Sequence, residues 1–213
     1  VRHVVCLITD RGRLGSNAEA ALIRRVSVAA RAGVHLVQIR ERDLPDRALL
    51  ALVTQAVEAA QPTRTRVLVN DRVDVALTSG AHGVHLRSDS MPVSRVRAVA
   101  PPGFLVGRSV HSSEEAARLA EEGGLDYLMF GSVFETSSKP GRPVAGVDGL
   151  TEAVGAARTL PVLAVGGITA VRLGALSGSG CAGFAAIGMF ADGAEDALAG
   201  TVAAALAPCE NPE

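Results

Sequence analysis

Tryptophan is absent from the sequence, and only one tyrosine and five phenylalanines supply aromatic rings. That is thin material for stacking nucleic-acid bases. Charge of either sign is also in short supply as a surplus. The formal net charge of −1 creates no field to gather nucleic acid or an anionic membrane surface. No apolar run reaches the length of roughly 20 residues that spans a bilayer. No basic segment followed by an apolar signal core opens the chain. The three cysteines, Cys6, Cys181 and Cys209, lie far apart without metal-ligand spacing. These absences lead us to expect a cytoplasmic protein with inert thiols and neither nucleic-acid nor membrane partners. They leave homo-oligomerisation open.

What is present suits one sizeable α/β core: 213 residues, 48% hydrophobic and 20% charged. Short apolar runs at 4–10, 35–41, 66–71, 83–87, 104–110, 127–131, 162–167 and 183–188 read as strands. Their hydrophobicity is continuous rather than alternating, the pattern of a parallel sheet buried on both faces. Between them, helices are expected over 17–31 with Asn17 as cap, 45–60, 73–77, after Pro92, over 113–122, up to about 158, over 171–176 and over 195–206. A long loop, 132–146, carries Lys139 and is the candidate lid. Strand and helix alternate eight times, so the expected fold is a single-domain (β/α)8 TIM barrel over 1–207 with a tail at 208–213. An open, doubly wound sheet is the alternative. Its dinucleotide fingerprint is missing from the first turn, Thr9-Asp10-Arg11-Gly12-Arg13.

In such a barrel the C-terminal ends of the strands share one rim, where chemistry is done. Here that rim collects Gln38, Arg40, Arg42, Asn70, Asp71, His85, Arg87, Asp89, Ser109, His111, Thr136, Ser138, Lys139, Gly166, Gly167 and Gly188. His111 stands where a strand hands over to a helix that Ser112 or Ser113 can cap, with Glu114 and Glu115 in its first turn. An imidazole there can take and return a proton near neutral pH. Gly166, Gly167 and Gly188 follow the last two strands, where backbone N–H groups often bind phosphate; they equally serve as tight turns. Arg40 and Arg42, two apart on an extended strand, share a face with Gln38 and with Lys139 could hold a diphosphate or a carboxylate. Asn70 and Asp71 offer oxygen ligands for Mg²⁺, or cap the short helix that follows. His85 is open between core and site. His3, His35 and His82 read as structural.

The ordered set Leu7-Ile8-Thr9-Asp10, Gln38-Ile39-Arg40-Glu41-Arg42, Val69-Asn70-Asp71, Gly107-Arg108-Ser109-Val110-His111, Thr136-Ser137-Ser138-Lys139 and Gly166-Gly167-Ile168-Thr169 resembles the thiamine-phosphate synthase and thiazole tautomerase (TenI-like) superfamily. The resemblance implies a TIM barrel that holds a phosphorylated thiazole. Its synthase branch joins a pyrimidine diphosphate to thiazole phosphate with Mg²⁺ held by two aspartates, the first matching Asp71. Here Ser90 stands at the second position, and Arg87-Ser88 replaces the branch's Gly-Gln. Arg42 stands for a usual Lys and Glu135 for a usual Pro, while Ser109-Val110-His111-Ser112 is similar to the tautomerase branch. The expectation is therefore a thiazole tautomerase, an isomerase without a cofactor. In it His111 shuttles the proton, Gln38, Arg40, Arg42, Asn70, Ser109, Thr136, Ser138 and Lys139 bind substrate, and Gly166, Gly167 and Gly188 bind phosphate. The alternatives are the Mg²⁺-dependent synthase, with Asp71 on the metal, and a non-catalytic regulator that binds thiazole or thiamine phosphate.

Overall fold

A computed structural model describes residues 3–136, 141 and 143–207. Eight parallel strands close into one barrel in sequence order. They are β1 (Val4–Ile8), β2 (Leu36–Ile39), β3 (Arg66–Asn70), β4 (Gly83–Leu86), β5 (Leu105–Val110), β6 (Tyr127–Phe130), β7 (Val162–Val165) and β8 (Gly183–Ala186). The helices are α1 (Ala18–Arg31), α2 (Asp46–Ala60), α3 (Val73–Thr78), α4 (Val93–Arg97), α5 (Ser113–Glu122), α6 (Gly146–Ala157), α7 (Gly188–Ala191) and α8 (Leu198–Leu206). The expected (β/α)8 barrel is the fold observed. No helix of the described residues is long and apolar enough to cross a membrane.

The side-chain period of two explains the apolar runs. Val5, Leu7, Val37, Ile39, Val67 and Val69 point outward and meet the apolar faces of the helices. Cys6, Ile8, Leu36, Leu68, Tyr127, Met129, Leu163 and Ala185 point inward and fill the barrel. Both sets are buried, so neither face of a strand needs polar residues until the strand ends. Gly107 is required by this filling: a Cβ there would lie 2.0 Å from Cζ of Tyr127, whose ring crosses the interior over it.

The local expectations fail in three places. Asn17 adopts a left-handed conformation and makes no side-chain cap bond to α1. The segment Ala170–Leu176 is a 3-10 helix, not the expected α-helix, and Gly174 within it lowers the α-helical preference. The last helix begins at Leu198, after a separate 3-10 turn at Glu195–Ala197. Cys6 and Cys181 are buried free thiols, as expected, and burial pushes Cys6 up to about 12. The tail at 208–213 and Cys209 lie outside the described residues.

Candidate active site

At the C-terminal mouth the inward-pointing positions change from apolar to polar, and a cleft of about 530 Å³ opens. Gln38 and Arg40 from β2, Asn70 from β3, His85 from β4 and Ser109 from β5 reach it by the same two-residue alternation that fills the barrel below. Asn70 is in register with His85, and His85 with Gly107, two residues before Ser109 on the same inward face of β5. Gln38 Nε2 donates to Asn70 Oδ1 at 3.0 Å. The other Gln38 amide atom, Oε1, is buried without a hydrogen-bond partner. A buried, unsatisfied acceptor is costly and calls for a donor.

His85 is the hub of this wall. Its Nδ1 lies 3.0 Å from the Tyr127 hydroxyl and its Nε2 2.8 Å from Ser109 Oγ. Burial, followed by the charge of Arg40, pushes the imidazole down to about 3, so it stays neutral. A neutral ring has one donor and one acceptor, and both hydroxyl partners suit either tautomer. Tyr127 thereby orients His85, and His85 orients the Ser109 hydroxyl at the cleft. His35 and His82 do something unrelated: each accepts a backbone N–H through Nδ1 at a strand start, at 3.1 Å.

The arginines are less satisfied. Arg40 and Arg42 line the cleft, and neither forms an ion pair among the described residues. Arg40 is held below the usual guanidinium range by burial and by the neighbouring charge of Arg42. A partly buried cation, Arg40, beside an exposed one, Arg42, favours an anion. Glu41, between them, faces the other way. It accepts from the Thr9 hydroxyl at 2.6 Å and from the Arg11 backbone N–H, which latches the β1 and β2 loops behind the site. The acid is buried, and period two alone indicates its direction.

His111 lines the cleft and is exposed. Its ring Nδ1 bonds the Gly131 carbonyl, which requires a proton on Nδ1 and leaves Nε2 as the acceptor. Its backbone N–H donates to Glu115 at 2.8 Å, while Ser112 accepts from the Glu115 N–H at 3.2 Å. The Ser112–Glu115 pair is thus a helix-capping device. Gly166 lines the cleft, and Gly167 and Gly188 sit just beyond its lining residues. Gly166 and Gly167 have φ of 101° and 65°. A Cβ on them would meet Ser132 Cα at 2.7 Å and the Glu135 carbonyl at 2.3 Å. Thr136 lines the cleft; Ser138 and Lys139 lie outside the described residues.

The two-aspartate Mg²⁺ site implied by the resemblance does not fit these residues. Asp71, in a left-handed conformation, accepts from the Ser90 hydroxyl. Arg87 lies 3.8 Å from Asp71 and 2.6 Å from Asp89, so a guanidinium already bridges the two carboxylates. Among the described residues no three of His, Cys, Asp and Glu group to hold a metal. Sequence reasoning placed Arg87 on the rim and Ser90 at the second metal position without a role for either, and did not single out Tyr127 or Glu41. For Tyr127 the signal was available: it is the one tyrosine, two positions before Met129 on an inward face.

These features define a (β/α)8 barrel with a cationic, glycine-flanked mouth at the C-terminal ends of its strands. The family profile described as thiamine monophosphate synthase matches residues 5–190, and the chain belongs to that family. Thiamine-phosphate synthase of Roseiflexus castenholzii is 38% identical over 187 residues, covering 87% of this chain and 80% of that protein. Thiamine-phosphate synthase of Methanoculleus marisnigri is 40% identical over 161 residues, covering 75% of each. The solved structure of thiamine phosphate pyrophosphorylase from Pyrococcus furiosus superposes with a TM-score of 0.80 at 30% identity, covering 95% of this chain and 93% of that one.

These relatives overturn the expectation of a tautomerase, and with it the isomerase class; they support the synthase alternative. The structure explains why the text around His111 misled. Ser112 and Glu115 are there to cap α5, a task that any branch on this fold must perform. Arg42 keeps the positive charge of the lysine it replaces, so it does not mark a branch either.

Proposed function

We propose that this chain joins a pyrimidine diphosphate to a thiazole phosphate and releases pyrophosphate. The observation that carries the reading is the pair Arg40 and Arg42, cations without an ion pair among the described residues, in a cleft flanked on its far side by glycines. In this reaction the bond from the pyrimidine's exocyclic methylene to the diphosphate oxygen breaks, and the oxygen keeps the electron pair. The thiazole nitrogen lone pair forms the new C–N bond and becomes a thiazolium. No net proton transfer is needed. Charge grows on the leaving oxygens, where arginines already in place stabilise it without reorganisation.

The remaining side chains supply position. Gln38 Oε1 has no donor of its own, and an aminopyrimidine brings one. Asn70 fixes the Gln38 amide, and His85 fixes the Ser109 hydroxyl against the ring. Gly166, with Gly167 and Gly188 beyond it, is assigned to the thiazole's phosphate. His111 stands at the cleft edge with Nε2 open to the thiazole. We assign the work to the cytosol and to small phosphorylated partners.

The test is to incubate both substrates with the protein, with and without Mg²⁺, and to measure pyrophosphate and thiamine phosphate together. Equal release of the two products is expected. No turnover under either condition would remove the reading.

A further inference from the structure

Arg87 begins the turn after β4 and lines the same cleft as Arg40 and Arg42. Its position is built rather than incidental. Its backbone N–H donates to Ser90 Oγ at 2.8 Å, and Ser90 in turn donates to Asp71. Behind the turn the buried Arg108 donates to the Met91 carbonyl at 3.1 Å and to the Ser90 carbonyl at 2.6 Å. The turn is therefore held front and back, and the Arg87 guanidinium is delivered between Asp71 and Asp89.

A divalent ion that used both carboxylates would need that same place. Mg²⁺ demands oxygens at about 2.0–2.1 Å in octahedral array. It would also face a like charge at short range unless Arg87 swung away. The hydroxyl of Ser90, spent on Asp71, offers no anionic ligand in compensation. Arg87 itself presents five N–H donors in a planar fork, of which its carboxylate partners occupy one side. Its remaining N–H groups have no partner among the described residues and can meet phosphate oxygens.

We infer that Arg87 makes this cleft a diphosphate subsite with a built-in cation, one that binds pyrophosphate-type ligands without Mg²⁺. Asp71 and Asp89 then act as positioning residues for the guanidinium. The inference rests on the diphosphate reading of the cleft given above.

Calorimetric titration of the full chain with inorganic pyrophosphate separates the two. Wild type is expected to bind in EDTA, with Kd improving by no more than about threefold when Mg²⁺ is present. Arg87→Gln should weaken binding in EDTA by about 10–100-fold, the loss of charge-assisted hydrogen bonds. Its fold should persist, because the side chain is half exposed and the backbone bond to Ser90 is kept. The double variant Arg87→Gly, Ser90→Asp should bind tightly only when Mg²⁺ is added. Wild type that binds only with Mg²⁺, or an Arg87→Gln variant that matches wild type in EDTA, would overturn the inference and leave the diphosphate reading standing. Failure to bind pyrophosphate in either buffer would overturn both.

Discussion

The two sides of the barrel mouth are built on opposite plans. From β2 to β5 the wall is made of side chains: Gln38 on Asn70 and His85 on Ser109, with Arg40 and Arg42 beside them and Tyr127 reaching His85 from the barrel interior at the start of β6. From β6 to β8 Gly131 and Gly166 leave backbone where side chains would otherwise stand, between the apolar Met129, Val165 and Ile187. The first wall specifies by chemical identity, and the second by the lack of a Cβ. Damage should accordingly take two forms: lost function with an intact fold on one side, lost packing on the other.

The sharpest way to break that contrast is Arg40→Gln. If the side-chain wall holds the diphosphate, kcat/KM for the coupling reaction should fall by about 100-fold, the value of one or two charge-assisted bonds. Thermal stability should not fall, because the substitution removes a half-buried cation whose burial and repulsion by Arg42 outweigh the attraction of Asp10 and Glu41. A variant with normal turnover would take the arginines out of the site, and one that failed to fold would erase the distinction between the walls.

Gly166→Ala probes the other plan. The added Cβ would press within 2.7 Å of the Ser132 backbone at a φ of 101°. The expected loss is about 1–3 kcal/mol of folding stability, read from urea denaturation. An alanine variant as stable as wild type would show that the glycine is kept for ligand approach alone.

The same division explains what could be seen in the sequence. Strand period and turn chemistry made the barrel legible, because eight apolar runs end in polar residues and every helix must follow them. Gln38, Arg40, Asn70, Ser109 and His111 were legible as site candidates because each lies on an inward or terminal position. The role of Gly166 and Gly167 was not, since a glycine text looks alike whether it clears a loop, as against Ser132 and Glu135, or cradles a ligand. Arg87 was collected on the rim but given no role, because its meaning depends on Asp71, sixteen residues earlier and one strand away. The branch was misread for a related reason: Ser109-Val110-His111-Ser112 was weighed as a branch mark, although Ser112 serves the local cap of α5 and stands beside a histidine.

His85 carries a smaller, pH-dependent effect that tests the side-chain wall from inside. In the unfolded chain its imidazole titrates near the ordinary histidine value of about 6.5. In the folded barrel it is held down to about 3 by burial and the Arg40 charge. Between those values the unfolded state binds the extra proton, so stability rises with pH; equivalently, it is lost as pH falls below about 6.5. From pH 7 to about pH 5.5 the loss from this group alone is about 1.3 kcal/mol. The carboxylates add their own slopes, so the measurement is a difference. Urea denaturation of wild type and His85→Gln should show wild type the more stable at pH 7 and the gap narrowing by that amount at pH 5.5. A gap that stays constant would mean that the ring accepts a proton inside the barrel, and the Tyr127–His85–Ser109 chain could not then hold Ser109 in a fixed orientation.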